Sequence, residues 1–143
     1  MLARLKRVAR ELDLPFGDRK MTFNSRLAQE LGKWAEDLGH GDAFHNAVFR
    51  AYFQRGENIA RKPALLQICS SVGLDPLAAE EVLDQRSYRK AVDEDWRRSQ
   101  QMGITAVPTF VLDDQRLVGS QSYAALEAMV LSAGIQRRRR SSK

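Results

Sequence analysis

The 143-residue sequence predicts an α/β fold that is predominantly helical. Apolar residues recur at helical spacing from residue 1 to about residue 103 and again after residue 122, and a glycine or proline follows most of these patterns. The good strand signals are confined to two short apolar runs between them, Thr109–Leu112 and Leu117–Gly119. We therefore expect many helices, one pair of strands and one closing helix.

Five or six helices are expected before the strands. The first has an apolar face over Met1–Leu12 and is stopped by Leu14–Gly17, the second starts at Asn24 or Ser25 and stops at Gly39, and the third contains the aromatic-rich stretch Phe44–Phe53 and closes at Gly56. The fourth has Pro63 in its first turn and stops at Gly73. Asp75 caps the fifth before Pro76, with an end near Gln85, and Ser87 caps the sixth, which leads to Gly103. Ser122 is expected to cap the closing helix, which stops at Gly134.

Apolar faces that are expected to be buried recur along the chain, on the fourth helix as Leu65, Leu66, Ile68, Cys69 and Val72 and also on three other helices. The other three faces are Leu27, Leu31, Trp34, Ala35 and Leu38 on the second helix, Phe44, Ala47, Val48, Phe49, Ala51, Tyr52 and Phe53 on the third, and Tyr123, Leu126, Met129, Val130 and Ala133 on the closing helix. Because apolar side chains surround more than half of the third helix, we expect it to be the most enclosed element.

The two strands are predicted to form a hairpin around the polar turn Asp113–Arg116. Pro108 precedes the first strand and has no amide proton, so it fits at the start or on a free edge of a strand. An X-Pro bond in a folded protein is cis only about 5–6% of the time. Spacing alone therefore predicts a trans peptide bond before Pro108.

The segment from Gly103, with the sequence Gly-Ile-Thr-Ala-Val-Pro-Thr-Phe-Val-Leu, resembles a known family when taken with the short turn, the Val-Gly-Ser-Gln strand end and the helix from Ser122. It is similar to the C-terminal third of the DsbA-type thioredoxin-like oxidoreductases, in particular the FrnE-like branch. The resemblance continues upstream through residues 24–28, 47–53 and 73–75, and it covers roughly residues 12–133.

The resemblance implies a truncated thioredoxin-like (DsbA-type) domain with a helical insertion. On this basis residues 1–20 form an N-terminal helix and linker, 21–103 the helical insertion, 104–134 the C-terminal thioredoxin-like hairpin and helix, and 135–143 a basic disordered tail. In such a sheet the first strand has a neighbour from the N-terminal unit. Without that unit Phe110 and Val111 are expected on an open edge strand, which attracts another chain.

The resemblance also implies a substrate-binding loop at Val107, Pro108 and Thr109. In the family the proline is cis and lies beside the redox site, and the backbone of the residue before it pairs with an extended peptide. The family's Cys-x-x-Cys has no counterpart here, because Cys69 is the only cysteine. The resemblance therefore implies thiol–disulfide oxidoreduction or isomerisation, with no catalytic residue in this chain and no activity of the chain alone.

The remaining candidate residues favour structural roles. Cys69 lies in the middle of a helical pattern among apolar residues, so a buried and inert thiol is expected. His40 and His45 are five residues apart across a glycine turn and do not match a metal-binding pair, and neither a metal nor a cofactor is expected. The acidic pairs at residues 80–81, 94–95 and 113–114 are expected on solvated surfaces.

Charge and composition exclude several classes of function. The net charge is +5, but the tail Arg137–Lys143 supplies five positive charges, so the remainder is neutral and nucleic-acid binding is not expected. No apolar run approaches the length of a membrane span, and the basic and apolar residues alternating near Met1 do not form a secretory signal. We therefore expect a cytoplasmic protein without a membrane partner.

Two alternative functions and three explanations of the chain stay open. A rival within the same fold is the glutathione-dependent branch of 2-hydroxychromene-2-carboxylate isomerases and kappa-type glutathione transferases. The rival from another class is a non-catalytic peptide-binding or assembly module.

Three explanations of the chain itself are open. It is a fragment of a full oxidoreductase, a redox-inactive module that pairs with another chain, or a homodimer formed through the open sheet edge. Its expected partner at the proline loop is an extended peptide or a thiol substrate.

Overall fold

The computed structural model describes residues 2–18 and 21–136, so the predicted disorder of Arg137–Lys143 lies outside the described residues. The chain divides into two compact units, Met1–Asp95 and Trp96–Lys143. The elements are α1 (Leu2–Glu11), α2 (Arg26–Asp37), α3 (Gly41–Phe49), a π-helical segment (Arg50–Gln54), α4 (Lys62–Ser71), α5 (Pro76–Gln85), α6 (Arg89–Gln101), β1 (Thr109–Leu112), β2 (Gln115–Val118) and α7 (Tyr123–Ser132). The predicted domain boundaries at 20/21 and 103/104 stay predictions.

The starts of α4 and α5 follow the predicted chemistry. The Asp75 side chain accepts a hydrogen bond from the amide of Leu77 at 3.0 Å, and Pro76 occupies the first helical position of α5. Pro63 lies in the first turn of α4. Because proline lacks the N–H that a first turn leaves unused, both residues start a helix without losing a hydrogen bond. The predicted bounds of α4 and α5 are confirmed. By contrast, the Ser25 side chain makes no capping hydrogen bond at the start of α2, and α6 begins at Arg89, two residues after the predicted cap Ser87.

The core of the first unit combines side chains from α2 to α5. Its largest fully buried apolar members are Phe44, Leu31 and Leu65, and Cys69 lies among them without solvent exposure. Burial of such side chains drives the helices together, because each removes its apolar surface from water. The sequence pattern identified Leu31, Trp34 and Ala35 on α2 correctly as core residues, and Cys69 on α4 is buried as expected.

The predicted enclosure of the third helix is wrong. Phe49 is 57% exposed and Phe53 is also exposed, whereas the buried residues of this stretch are Phe44, Val48 and Ala51. The helix changes at residue 50 into a π-helix, in which the amide of Arg55 bonds to the carbonyl of Arg50, and this wider turn rotates the side chains that follow. Leu38 is exposed as well, because it follows the last residue of α2.

The second unit contains the predicted hairpin and closing helix. β1 and β2 are antiparallel, with Thr109 opposite Val118 and Leu112 opposite Gln115. The turn is shorter than predicted: only Asp113 and Asp114 form it, and Gln115 and Arg116 belong to β2.

The cap of α7 is confirmed and its inner face is partly wrong. The Ser122 hydroxyl accepts a hydrogen bond from the amide of Ala125 at 3.2 Å. Met129 is buried as predicted, but Tyr123 is 79% exposed and Val130 is also exposed. Tyr123 is the first residue of the helix, and its hydroxyl donates to the carboxylate of Glu127 one turn further on at 3.3 Å.

A buried carboxylate that the sequence pattern did not reveal connects three parts of the first unit. Glu30 on α2 is fully buried, and its two carboxylate oxygens accept hydrogen bonds from the Arg86 guanidinium at 2.8 and 2.6 Å. Arg26 donates to the same carboxylate at 2.9 Å and also to Asp93 on α6 at 2.5 Å. Charge-assisted bonds from the two guanidinium groups hold the pKa of Glu30 below its usual value.

Replacement of this carboxylate should destabilise the protein strongly. We expect Glu30→Gln to lower the free energy of unfolding by about 2–4 kcal/mol, because two guanidinium groups lose their buried partner while Arg86 still reaches solvent. Urea unfolding measures the change. Glu80→Gln on the exposed face of α5 is the matched control and should change stability by less than about 0.5 kcal/mol. Equal stability of the two variants would contradict the role of Glu30.

The same carboxylate predicts a pH dependence with a defined sign. The folded-state pKa of Glu30 is lower than its unfolded-state pKa, so its contribution is complete above the unfolded value and is lost as pH falls through the folded value. Urea midpoints at pH 7 and pH 3 should therefore differ less for Glu30→Gln than for the unchanged protein. If the urea midpoint of Glu30→Gln lay below that of the unchanged protein by the same amount at pH 7 and at pH 3, the pH dependence would not come from Glu30.

Candidate functional site at the proline loop

The candidate site is the proline loop, defined here as residues 103–109, which connects α6 to β1 in the second unit. Its start is set by Gly103, whose positive φ of 65° ends the helical path, and by the amide of Ile104, which donates to the carbonyl of Ser99 at 2.9 Å. This is the glycine-terminated helix end that the sequence predicted.

An arginine from β2 anchors the start of the loop. Arg116 donates one hydrogen bond to the carbonyl of Gly103 at 3.0 Å and another to the carbonyl of Met102. These carbonyls have no partner inside the helix, so the guanidinium satisfies two acceptors at once. The sequence pattern does not indicate this role, because it predicts Arg116 in the polar turn and the structure places it in β2.

The peptide bond between Val107 and Pro108 is cis. This agrees with the resemblance and not with the expectation from spacing alone. Val107 as a whole residue is 89% exposed, and no hydrogen bond within the described residues uses its N–H or C=O group. Thr109 turns inward instead, with its hydroxyl donating to the carbonyl of Ala106 at 2.6 Å.

The strand that follows has one edge open. The amide of Gly119 donates a hydrogen bond to the carbonyl of Pro108 at 2.8 Å. Because every second residue of an antiparallel strand forms backbone hydrogen bonds with its neighbour, the residues bonded to β2 are Pro108, Phe110 and Leu112. Thr109 and Val111 therefore direct their backbone N–H and C=O groups away from β2. In the part of the chain that the structure describes, no strand pairs with that edge. Val107, Pro108 and Thr109 thus lead directly into a free strand edge.

The thiol of Cys69 lies in the first unit, away from the proline loop in the sequence, and is buried. Cys69 is fully buried on α4, and burial raises the pKa of its thiol to about 11. A thiol with such a pKa is almost entirely protonated at neutral pH and is a poor nucleophile. The predicted burial of Cys69 is confirmed, and its low reactivity stays a prediction.

The histidines have local structural partners. His40 Nδ1 lies 3.1 Å from the carbonyl of Val72, and His45 Nε2 lies 3.1 Å from a carboxylate oxygen of Glu36. Within residues 2–18 and 21–136, no three His, Cys, Asp or Glu side chains form a group suited to a metal ion. The same residues contain no helix that is both long and apolar enough to cross a membrane.

A cis-proline loop that enters a hairpin followed by a helix, with a set of helices before it, defines a thioredoxin-like fold of the DsbA type. The family model of the DSBA-like thioredoxin domain matches residues 1–130, and the chain belongs to this family. The predicted fold class, mostly helical with a short antiparallel sheet and a closing helix, is confirmed. The FrnE-like branch and the truncation stay predictions.

Proteins that are similar to the chain include the following three. The uncharacterized protein YwbO of Bacillus subtilis is 29% identical over 105 residues, which are 73% of this chain and 52% of YwbO. A probable DsbA oxidoreductase of Streptomyces coelicolor, SCO1869, has a TM-score of 0.77 at 24% identity, covering 94% of this chain and 59% of that one. The cytosolic disulfide reductase DsbM of Pseudomonas aeruginosa, solved with GSH, has a TM-score of 0.59 at 23% identity, covering 87% and 72%. The chain therefore spans between half and three quarters of these relatives.

Loss of the anchoring arginine should loosen the proline loop. We expect Arg116→Ala to increase amide hydrogen exchange at Ile104 roughly 5- to 10-fold, because two carbonyl hydrogen bonds at the end of α6 are lost. Hydrogen exchange followed by NMR measures this change. Arg97→Ala, on the exposed side of α6, is the control and should leave exchange unaltered. Identical exchange in both variants would show that Arg116 does not hold the loop.

The buried thiol should resist modification until the protein unfolds. At pH 7.5 roughly 1 in 3,000 Cys69 side chains is a thiolate, because the pKa is about 11. We expect an aromatic disulfide reagent to react with less than one tenth of the thiol within minutes under native conditions and with one thiol per chain in urea. Complete native reaction within seconds would contradict the burial of Cys69.

Proposed function

We propose that this chain supplies the substrate-orienting part of a DsbA-like thiol–disulfide oxidoreductase or disulfide isomerase. The observation that carries the proposal is the exposed backbone of Val107, which lies beside a cis proline at the start of a free strand edge. An extended peptide can pair its own backbone with Val107, Thr109 and Val111, as a strand added to a sheet. Family membership supports this use of the loop.

The chemical step needs thiols that this chain does not offer. A thiolate attacks one sulfur of the substrate disulfide, the S–S bond breaks and the other sulfur leaves as a thiolate. A second thiol then attacks the mixed disulfide and releases the reduced substrate, so the dithiol is oxidised as the substrate is reduced. Since Cys69 is buried, we assign both reactive thiols to a Cys-x-x-Cys unit outside these 143 residues.

We place this function in the cytosol. The one cysteine of the sequence is a free thiol. DsbM, whose structure is similar to this chain, is a cytosolic disulfide reductase. Disulfide-forming compartments favour paired cysteines in small domains, and this chain has no pair. The partner at the loop is an extended peptide or a thiol substrate.

The chain alone should bind peptide and lack redox activity. We expect no reduction of insulin by the purified chain with dithiothreitol above the rate of dithiothreitol itself. It should nevertheless bind an eight-residue extended peptide whose single cysteine is S-methylated, so that affinity does not depend on exchange. Fluorescence anisotropy with a labelled peptide measures the binding.

Two variants at one position separate backbone pairing from side-chain contact. Val107→Ala retains the backbone N–H and should bind the peptide almost as well, whereas Val107→Pro removes the N–H and should weaken binding ~3- to 10-fold. Unchanged hydrogen exchange at β2 amides confirms that the hairpin persists. Equal affinity of both variants, or insulin reduction by the chain alone, would overturn the proposal.

The alternatives give different results in the same assays. Glutathione binding that competes with the peptide would favour the glutathione-dependent branch. Concentration-dependent dimerisation that is lost in Val107→Pro would favour pairing of two copies through the open edge. Peptide binding without any gain of activity when a Cys-x-x-Cys unit is supplied would favour the non-catalytic module.

A further inference from the structure

A wide apolar groove, separate from the proline loop, lies on the first unit. It has a volume of about 740 Å³ and is formed by α1, the segment that follows α1, and the stretch where α3 passes into the π-helix. We call it the α1 groove. Most of its lining is apolar, and the proposed function makes no use of it.

The two walls of the α1 groove expose apolar side chains at helical spacing. Leu5, Val8 and Leu12 follow one another by three and four residues on the first wall, and all are exposed, Leu12 by 62%. Phe49 and Phe53 are four residues apart on the second wall and are also exposed. Such rows form the ridges between which another helix packs. The spacing therefore fits a helix better than an extended peptide.

The groove is built before any partner binds. The amide of Gly17 donates to the carbonyl of Phe53 at 2.8 Å, and the amide of Leu14 donates to the carbonyl of Ala9 at 2.8 Å. A Cβ atom at Gly17 would lie only 2.3 Å from the carbonyl oxygen of Gln54, so this close approach requires glycine. These contacts hold the segment after α1 against the π-helix, and the walls need little ordering on binding.

The charge around the groove is positive. Arg50 is the one charged residue among those that line it, and no ion pair or hydrogen bond within the described residues uses the Arg50 guanidinium. The α1 helix itself carries four basic residues and one acidic residue in LARLKRVARE. Lys6 is paired with Asp18 and Arg7 with Glu11, which leaves Arg4 and Arg10 without a carboxylate partner among the described residues. An acidic partner is favoured by this arrangement, and a second α1 helix is disfavoured because like charges would meet.

We propose that the α1 groove binds an amphipathic helix of a partner protein, one that carries acidic side chains beside its apolar stripe. The apolar stripe of that helix packs between the α1 ridge and the two phenylalanines, and an acidic side chain pairs with Arg50. Burial of the exposed apolar rows supplies the affinity, and the charge selects the partner.

Two synthetic 18-residue helical peptides test the proposal. They share one apolar stripe and differ only in the flanking residues, which are glutamate in one and lysine in the other. We expect the full chain to bind the glutamate peptide at least 10-fold more tightly at low salt and to lose part of this preference at high salt. Isothermal titration calorimetry measures both affinities.

Variants on exposed positions assign the contacts without disturbing the core. Phe49→Ala should weaken both peptides about 10-fold, and Arg50→Glu should weaken the glutamate peptide and strengthen the lysine peptide. Leu38→Ala, which also removes an exposed apolar side chain, is the matched control and should change neither affinity. Val107→Pro should leave helix binding unchanged, so failure of the proposed function and failure of this inference are distinguishable.

Four results would overturn the proposal. These are no binding of either peptide, equal binding of both, binding that Phe49→Ala leaves unaltered, and dimerisation of the chain that Phe49→Ala abolishes, since the last would identify a second copy as the occupant. Light scattering over a range of protein concentrations detects that dimer.

Discussion

Among the residues that the structure describes, backbone groups at the start of β1 remain unpaired on one side, and the function that we propose for the second unit depends on this constraint. A strand edge presents N–H and C=O groups that form hydrogen bonds with water or with another strand. Val107, just before this edge, is 89% exposed, and the pairing with β2 turns the N–H and C=O groups of Thr109 and Val111 toward the same open side. Arg116 fixes where the loop begins, because it binds the carbonyls at the end of α6. The site is thus a property of main-chain geometry more than of side-chain chemistry.

The separation of orienting and reacting groups follows from the same features. The exposed proline loop contains no cysteine, and Cys69 is buried in the core of the first unit with Leu65 and Ile68. A buried thiol with a raised pKa stabilises by packing, as a small apolar residue does. In the account proposed here, the chain therefore selects and holds a substrate, and the electrons come from a dithiol outside these residues.

Much of the fold was predictable from the sequence because its signals are local. The Asp75–Pro76 start of α5, the Ser122 cap and the hairpin each depend on residues that are neighbours in the chain. Features that depend on distant residues were not predictable, such as the bond between Glu30 and Arg86, which are 56 positions apart. The π-helix that contains the exposed Phe53 is likewise not encoded in apolar periodicity. The cis bond at Pro108 followed from family resemblance and not from spacing.

The most direct test of the central claim is an NMR titration of the ¹⁵N-labelled chain with the S-methylated extended peptide. If the peptide adds to the open edge, the amides of Val107, Thr109 and Val111 will shift and become protected from exchange. The amides of Phe110 and Leu112, which already face β2, will gain little protection. Saturable binding with protection spread evenly over both sets, or confined to the first unit, would contradict the claim.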